Sequence, residues 1–129
     1  MIALDASALL AYLFTEEGFA AVGEHIDACY LSSVNLVEVI SRFVRDGHNP
    51  EFVYQQLVSS AIEIVTFGSE DAALAAGLTL HTQKLGLSLG DRACLALALR
   101  QNIPALTADH VWSKLRLPIA IQQIRVTTP

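Results

Sequence analysis

The first 41 residues contain neither lysine nor arginine. Asp5, Glu16, Glu17, Glu24, Asp27 and Glu38 make that stretch wholly acidic, and Arg42 is the first cation of the chain. A secretory signal needs a positive region ahead of its apolar stretch, so none is expected. Long apolar runs are missing too. Residues 93–99 are the longest candidate, far short of the ~18 that a membrane span takes. Cysteine is scarce: Cys29 and Cys94 stand far apart among apolar neighbours, with no CxxC or Cys/His ligand spacing. Two buried thiols are expected rather than a disulfide, and with them a cytoplasmic location.

What is present is apolar. The chain is 53% hydrophobic and 16% charged, which argues against disorder and supplies a core. Its 129 residues suit one unit, 1–129, undivided by linker, repeat or low-complexity segment. A net charge of −5 does not announce a nucleic-acid binder, yet all eight basic residues lie from Arg42 onward, where only seven acids accompany them. Any attraction for a polyanion must come from local placement in that later part.

Strands and helices alternate. Met1-Ile2-Ala3-Leu4 is a short apolar run stopping at Asp5, consistent with a buried strand. Residues 6–14 and 16–26 read as helices, 28–31 as a strand, and 33–46 as a helix closed by Gly47. Residues 50–60 are helical with Pro50 in the first turn. Residues 63–67 follow as a strand, 69–85 and 88–101 as helices, and 104–107 and 119–125 as strands. This order predicts an α/β fold with a parallel sheet and helices on both faces. Two helices are rich in small residues, Ala72 to Gly77 and Ala93 to Ala98. The second is apolar all round and is expected deep against the sheet; small side chains permit close approach to the sheet or to a partner subunit.

Open parallel sheets bind ligands beyond the carboxyl ends of their strands. Asp5 ends the first strand, Asp109 follows residues 104–107, Asp91 opens the helix after Ser88, and Glu38 lies in the second turn of the helix after the second strand. With parallel strands, all four fall at one edge, where their oxygens suit magnesium. A cation there relieves their mutual repulsion. Each acid also has a plain structural reading. Asp5 and Asp109 are good helix N-caps, Ser88-Leu89-Gly90-Asp91 has the form of a capping box, and Glu38 can pair with Arg42 one turn on. Capping alone does not require all four at one edge.

The motifs Leu4-Asp5-Ala6-Ser7, Ser32 to Glu38-Val39, Leu89-Gly90-Asp91-Arg92-Ala93 and Thr107-Ala108-Asp109-His110-Val111-Trp112 occur in that order over nearly the whole chain. Together they resemble the PIN-domain family, and within it the VapC-type ribonuclease toxins of toxin–antitoxin modules. The resemblance implies a three-layer α/β/α sandwich with a mostly parallel central sheet of four to five strands. It implies a metal site of Asp5, Glu38, Asp91 and Asp109, with Asp5 and Asp91 the principal ligands of Mg2+ or Mn2+. Glu38 and Asp109 would act through water or orient it, and Ser7 and Thr107 would support the carboxylates. The implied activity is hydrolysis of RNA by metal-activated water, leaving a 5′-phosphate and a 3′-hydroxyl. Arg42, Arg45 and Arg92 are candidate phosphate contacts, or else neutralise neighbouring acids. A small antitoxin partner is implied as well, lying on helices 6–14 and 33–44, and a homodimer is expected.

Other classes fit less well. A dehalogenase-type phosphoryl-transfer domain wants a second Asp where Ser7 stands, and a receiver domain wants an acceptor Asp where the strand 63–67 runs into Gly68-Ser69. The remaining rival is a PIN fold kept as a catalytically weak binding or assembly module.

Overall fold

The computed structural model describes residues 1–125; residues 126–129 of the expected unit lie outside them. The elements are β1 (Ile2–Leu4), α1 (Ala6–Leu13), α2 (Phe19–Gly23), β2 (Cys29–Ser32), α3 (Ser33–Arg45), α4 (Pro50–Val58) and β3 (Glu63–Val65). They continue with α5 (Ser69–Gly77), α6 (Thr79–Thr82) and a 3-10 turn at Gln83–Leu85. The chain then forms α7 (Leu89–Gln101), β4 (Ala105–Thr107), a 3-10 helix at His110–Lys114, and β5 (Ile121–Gln123). The five strands form one sheet in the order β3-β2-β1-β4-β5, with every pairing parallel.

Side-chain alternation along β1 divides the core in two. Ile2 and Leu4 face a cluster with Leu9, Leu31, Val39 and Leu57, contributed by α1, β2, α3 and α4. Ala3 faces the other way, into a cluster with Cys94, Leu95, Ala98, Ala105 and Trp112. Ala3 and Ala105 are register partners on adjacent strands, so a low stretch of sheet faces the small residues of α7. Small side chains on both surfaces let the helix settle close. Residues Ala93 to Ala98 are accordingly all buried. The other small-residue helix, α5, packs on α7, with Ala75 inward and Ala72, Ala73 and Ala76 exposed. An ion pair, Arg100 Nε to Asp71 Oδ1 at 2.8 Å, joins the two helices.

Two expected helices are corrected. Of residues 16–26, expected as one helix, only Phe19–Gly23 is helical. Thr15 and Gly18 take φ of 54° and 93°, and Glu16 N donates to Ala11 O at 2.8 Å, ending α1 in a left-handed turn. Gly18 then runs so close to the carboxyl-terminal segment that a Cβ would stand 2.5 Å from Ile124 O. This contact is tertiary, and local propensity carries no sign of it. The long helix over residues 69–85 breaks after Gly77 into α5, α6 and the 3-10 turn. The turn closes at Gly86 with φ 69°. Both cysteines are buried and unpaired.

Candidate active site

In this strand order β1 and β4 lie side by side while the chain leaves them toward opposite edges of the sheet. That is the switch point at which open α/β sheets leave a crevice beyond their carboxyl ends. Asp5 leaves β1 into this crevice and Thr107 ends β4 beside it. The Thr107 hydroxyl donates to Asp5 Oδ2, and the Ser7 hydroxyl lies 2.8 and 2.9 Å from the two oxygens of the same carboxylate. Ala8 N donates to Asp5 Oδ1 at 2.8 Å, making Asp5 the N-cap of α1. Asp5 is only 3% exposed. Burial pushes its carboxyl up to about 6 from an ordinary 3.8, while bonds from Thr107, Ala8 and Ser7 pull it back and the charge of Asp91 adds to the rise.

Asp91 sits in the first turn of α7, where its Oδ2 accepts from Ser88 N at 2.8 Å and its own N–H donates to Ser88 Oγ at 3.2 Å. The capping box is therefore formed. Glu38 reaches the same place from α3: Asn35 Nδ2 donates to Glu38 Oε1 at 2.8 Å and to the Gly90 carbonyl at 3.0 Å. Cys94, one turn into α7, registers the convergence. Burial lifts its thiol well above the usual 9.0, and Asp5, Asp91 and Glu38 each add to the rise. Cys29 is pushed up to about 11 by burial and by Asp27. Both shifts favour the neutral thiol, so neither sulfur is activated as a nucleophile.

Asp109 stands across Thr107 from these three. Its N–H donates to Thr107 Oγ1 at 3.0 Å, and its Oδ1 caps the 3-10 helix through Val111 N at 3.0 Å. It opens on a cleft of about 340 Å³ whose lining includes Ser7, Ala108, Glu16, Arg42 and Arg125. A larger hollow, about 580 Å³, lies around Met1, Cys29 and Glu63 at the amino ends of the strands, away from the four acids. Of the four acids, Asp109 lines the smaller one.

The expected cations divide. Arg42 lines the cleft, with its guanidinium 4.6 Å over the Phe14 ring and its Nε 3.4 Å from Asp46 rather than on Glu38. Arg45 borders an apolar depression with Val37, Val44 and Pro50. Arg92 is turned to α5, donating to Ala75 O at 3.0 Å and Thr79 Oγ1 at 3.2 Å. Arg125 enters the cleft unforeseen, 3.9 Å from Glu16. Nothing in its local sequence announces it, because only the docking of the β5 segment brings it there. Asn35 and Gly90 were likewise missed; a polar residue on an inward helix face was the available signal.

None of the ion pairs among the described residues engages Asp5, Glu38, Asp91 or Asp109. Buried Asp5, half-buried Asp91 and exposed Glu38 thus lie around the first turn of α7, and carboxylate oxygens are the donors a hard divalent ion takes. Among the described residues no group of three or more His, Cys, Asp or Glu side chains stands close enough together to hold a metal ion. Magnesium needs no such group, since it ordinarily keeps several waters and takes one or two carboxylates. Carboxylates of this kind fit a hydrated divalent ion, and Asp5 and Asp91 are the residues that would hold it.

A family model described as PIN domain matches residues 2–117. No curated protein matches the sequence. Among solved structures, FitAcB from Neisseria gonorrhoeae is similar with a TM-score of 0.70 and 18% identity, over 96% of this chain and 98% of that one. A toxin–antitoxin complex from Klebsiella pneumoniae gives 0.70 and 17% over 94% and 100%. DNA-bound VapBC from Salmonella typhimurium gives 0.69 and 14% over 95% and 98%. At these identities the likeness is one of fold, and that fold agrees with the matched family model. The chain belongs to the PIN domain family, whose members are generally nucleases.

Proposed function

We propose that this chain is a metal-dependent endoribonuclease and the toxin of a VapBC-type toxin–antitoxin module. The observation that carries the reading is that Asp5, Glu38 and Asp91 all lie close enough to Cys94 to act on its thiol, while no ion pair among the described residues engages any of them. Bound there, Mg2+ or Mn2+ would supply Lewis-acid activation of a phosphodiester and of the attacking water. The chain's own residues do the rest. Ser7 and Thr107 hold both oxygens of Asp5 in place, and Asp109, which lines the cleft, would orient a water. Arg42 and Arg125 line the same cleft and are suited to backbone phosphates, which position a nucleic acid without reading its sequence.

RNA cut by the purified chain in Mg2+ or Mn2+ should yield fragments with 5′-phosphates, and a chelator should abolish the cutting. Cleavage indifferent to the chelator would sink the proposal; no cleavage at all would favour the binding-module reading.

An antitoxin partner belongs to the same proposal. Two similar structures are described as toxin–antitoxin systems, and α1, α3 and α4 leave Leu13, Val37, Val44 and Phe52 exposed. Their inner faces are core, through Leu9, Leu36 and Val39, so only the outer faces remain for a partner. A homodimer is also proposed, as the family resemblance implies. Light scattering should return twice the chain mass, and a monomer at every concentration would remove the dimer. A cytoplasmic location rests on the two unpaired thiols.

A further inference from the structure

Asn35 is 1% exposed, an unusual place for an amide. Both of its N–H donors are committed, one to Glu38 Oε1 and one to the Gly90 carbonyl. Its Oδ1 is buried without a hydrogen-bond partner among the described residues. A buried acceptor left unpaired is unfavourable, and an apolar residue at this inward position would avoid it. What asparagine adds is two donors on one planar group: serine and threonine have one, and ionised aspartate has none. One donor holds a carboxylate on its own helix, and the other holds the backbone of α7 at the residue before Asp91.

Gly90 completes the arrangement. It lies inside α7 and is not among the glycines with positive φ, so its backbone does not call for glycine. Space does. A Cβ built there would fall onto Oε1, Oε2 and Cδ of Glu38. Glu38 is itself exposed, and a long side chain at such a position would sample many rotamers.

We infer that Asn35 and Gly90 act together as positioning residues, holding the Glu38 carboxylate over the first turn of α7 and so setting its separation from Asp91. The inference rests on the metal-site reading of these acids. Partners that orient metal ligands typically matter by about 10- to 100-fold in metal affinity. The collision in Gly90→Ala involves only the free end of a flexible side chain, so the variant should fold and melt close to the wild type.

Mn2+ binding to the RNA-free chain, followed by calorimetry, tests this with a double-mutant cycle. Gly90→Ala should weaken Mn2+ by about 10- to 100-fold. In a Glu38→Ala background, where the Cβ meets no carboxylate, the same substitution should change affinity by no more than about twofold. Asn35→Ala should follow the same pattern: a loss with Glu38 present and none without it. A folded Gly90→Ala that binds Mn2+ like the wild type overturns the inference. So does a loss of equal size with and without Glu38, which would mark the effect as structural. If Asp5→Asn abolishes Mn2+ binding while Gly90→Ala leaves it intact, the metal site stands and only the positioning of Glu38 falls. A wild-type chain that binds no Mn2+ overturns both.

Discussion

Asp5→Asn should cut metal-dependent RNA cleavage by about 10³-fold while leaving the chain folded. Lewis-acid stabilisation by a bound ion is worth several kcal/mol, and each ~1.4 kcal/mol is tenfold in rate. Loss of the proposed principal ligand should therefore remove most of the activity. Folding should survive because the asparagine oxygen can still accept from Ala8 N, the bond that caps α1. The Ser7 and Thr107 hydroxyls can rotate to accept from the new amide. The measurement is single-turnover cleavage of one RNA at saturating Mn2+, beside a circular-dichroism melt. Undiminished cleavage by a folded Asp5→Asn would take Asp5 out of the site.

The second large effect is on stability and its pH dependence. Without metal, the Asp5 carboxyl is held at about 6 against an ordinary 3.8, chiefly by burial. Between those values the folded chain binds the proton more tightly than the unfolded chain. On Asp5's account stability is therefore greatest below the lower value, falls as pH rises through the window, and stays low above about 6. The shift corresponds to about 3 kcal/mol. Other acids titrate nearby, so the readable quantity is a difference. Relative to wild type, Asp5→Asn should gain about 3 kcal/mol between pH 3.5 and pH 8 in chelator, measured by urea unfolding. A divalent ion favours the ionised carboxylate, so Mg2+ or Mn2+ should stabilise the wild type at pH 8. About 2.7 kcal/mol is expected at a hundred times the dissociation constant, with little gain in Asp5→Asn. A pH-independent difference between the two proteins would mean that Asp5 is not desolvated in the folded chain.

The four acids show why capping and chemistry were hard to separate in the sequence. Asp5, Asp91 and Asp109 each cap a helix as their local motifs suggested. A carboxylate has two oxygens and about four acceptor sites, and for Asp91 and Asp109 the cap engages only one oxygen. The two roles therefore coexist on one residue, and local sequence cannot tell a cap that also faces its neighbours from one that faces water. The pairing of Glu38 with Arg42 was decided the other way: both partners took closer neighbours, Asn35 and Asp46.

The sequence by itself determined the alternation of strands and helices, the parallel sheet and the burial of α7. These follow from periodicity and side-chain size, which act over a few residues. It also placed each acid at the carboxyl edge, because chain direction through parallel strands dictates which helix ends lie there. Only the tertiary structure decided which acids meet, through Thr107 on Asp5 and Asn35 on both Glu38 and Gly90. It alone interrupted residues 16–26 against Ile124 and brought Arg125 to the cleft that Arg42 lines. Contacts of this kind join residues remote in the chain, and their energy depends on distances that no local pattern encodes.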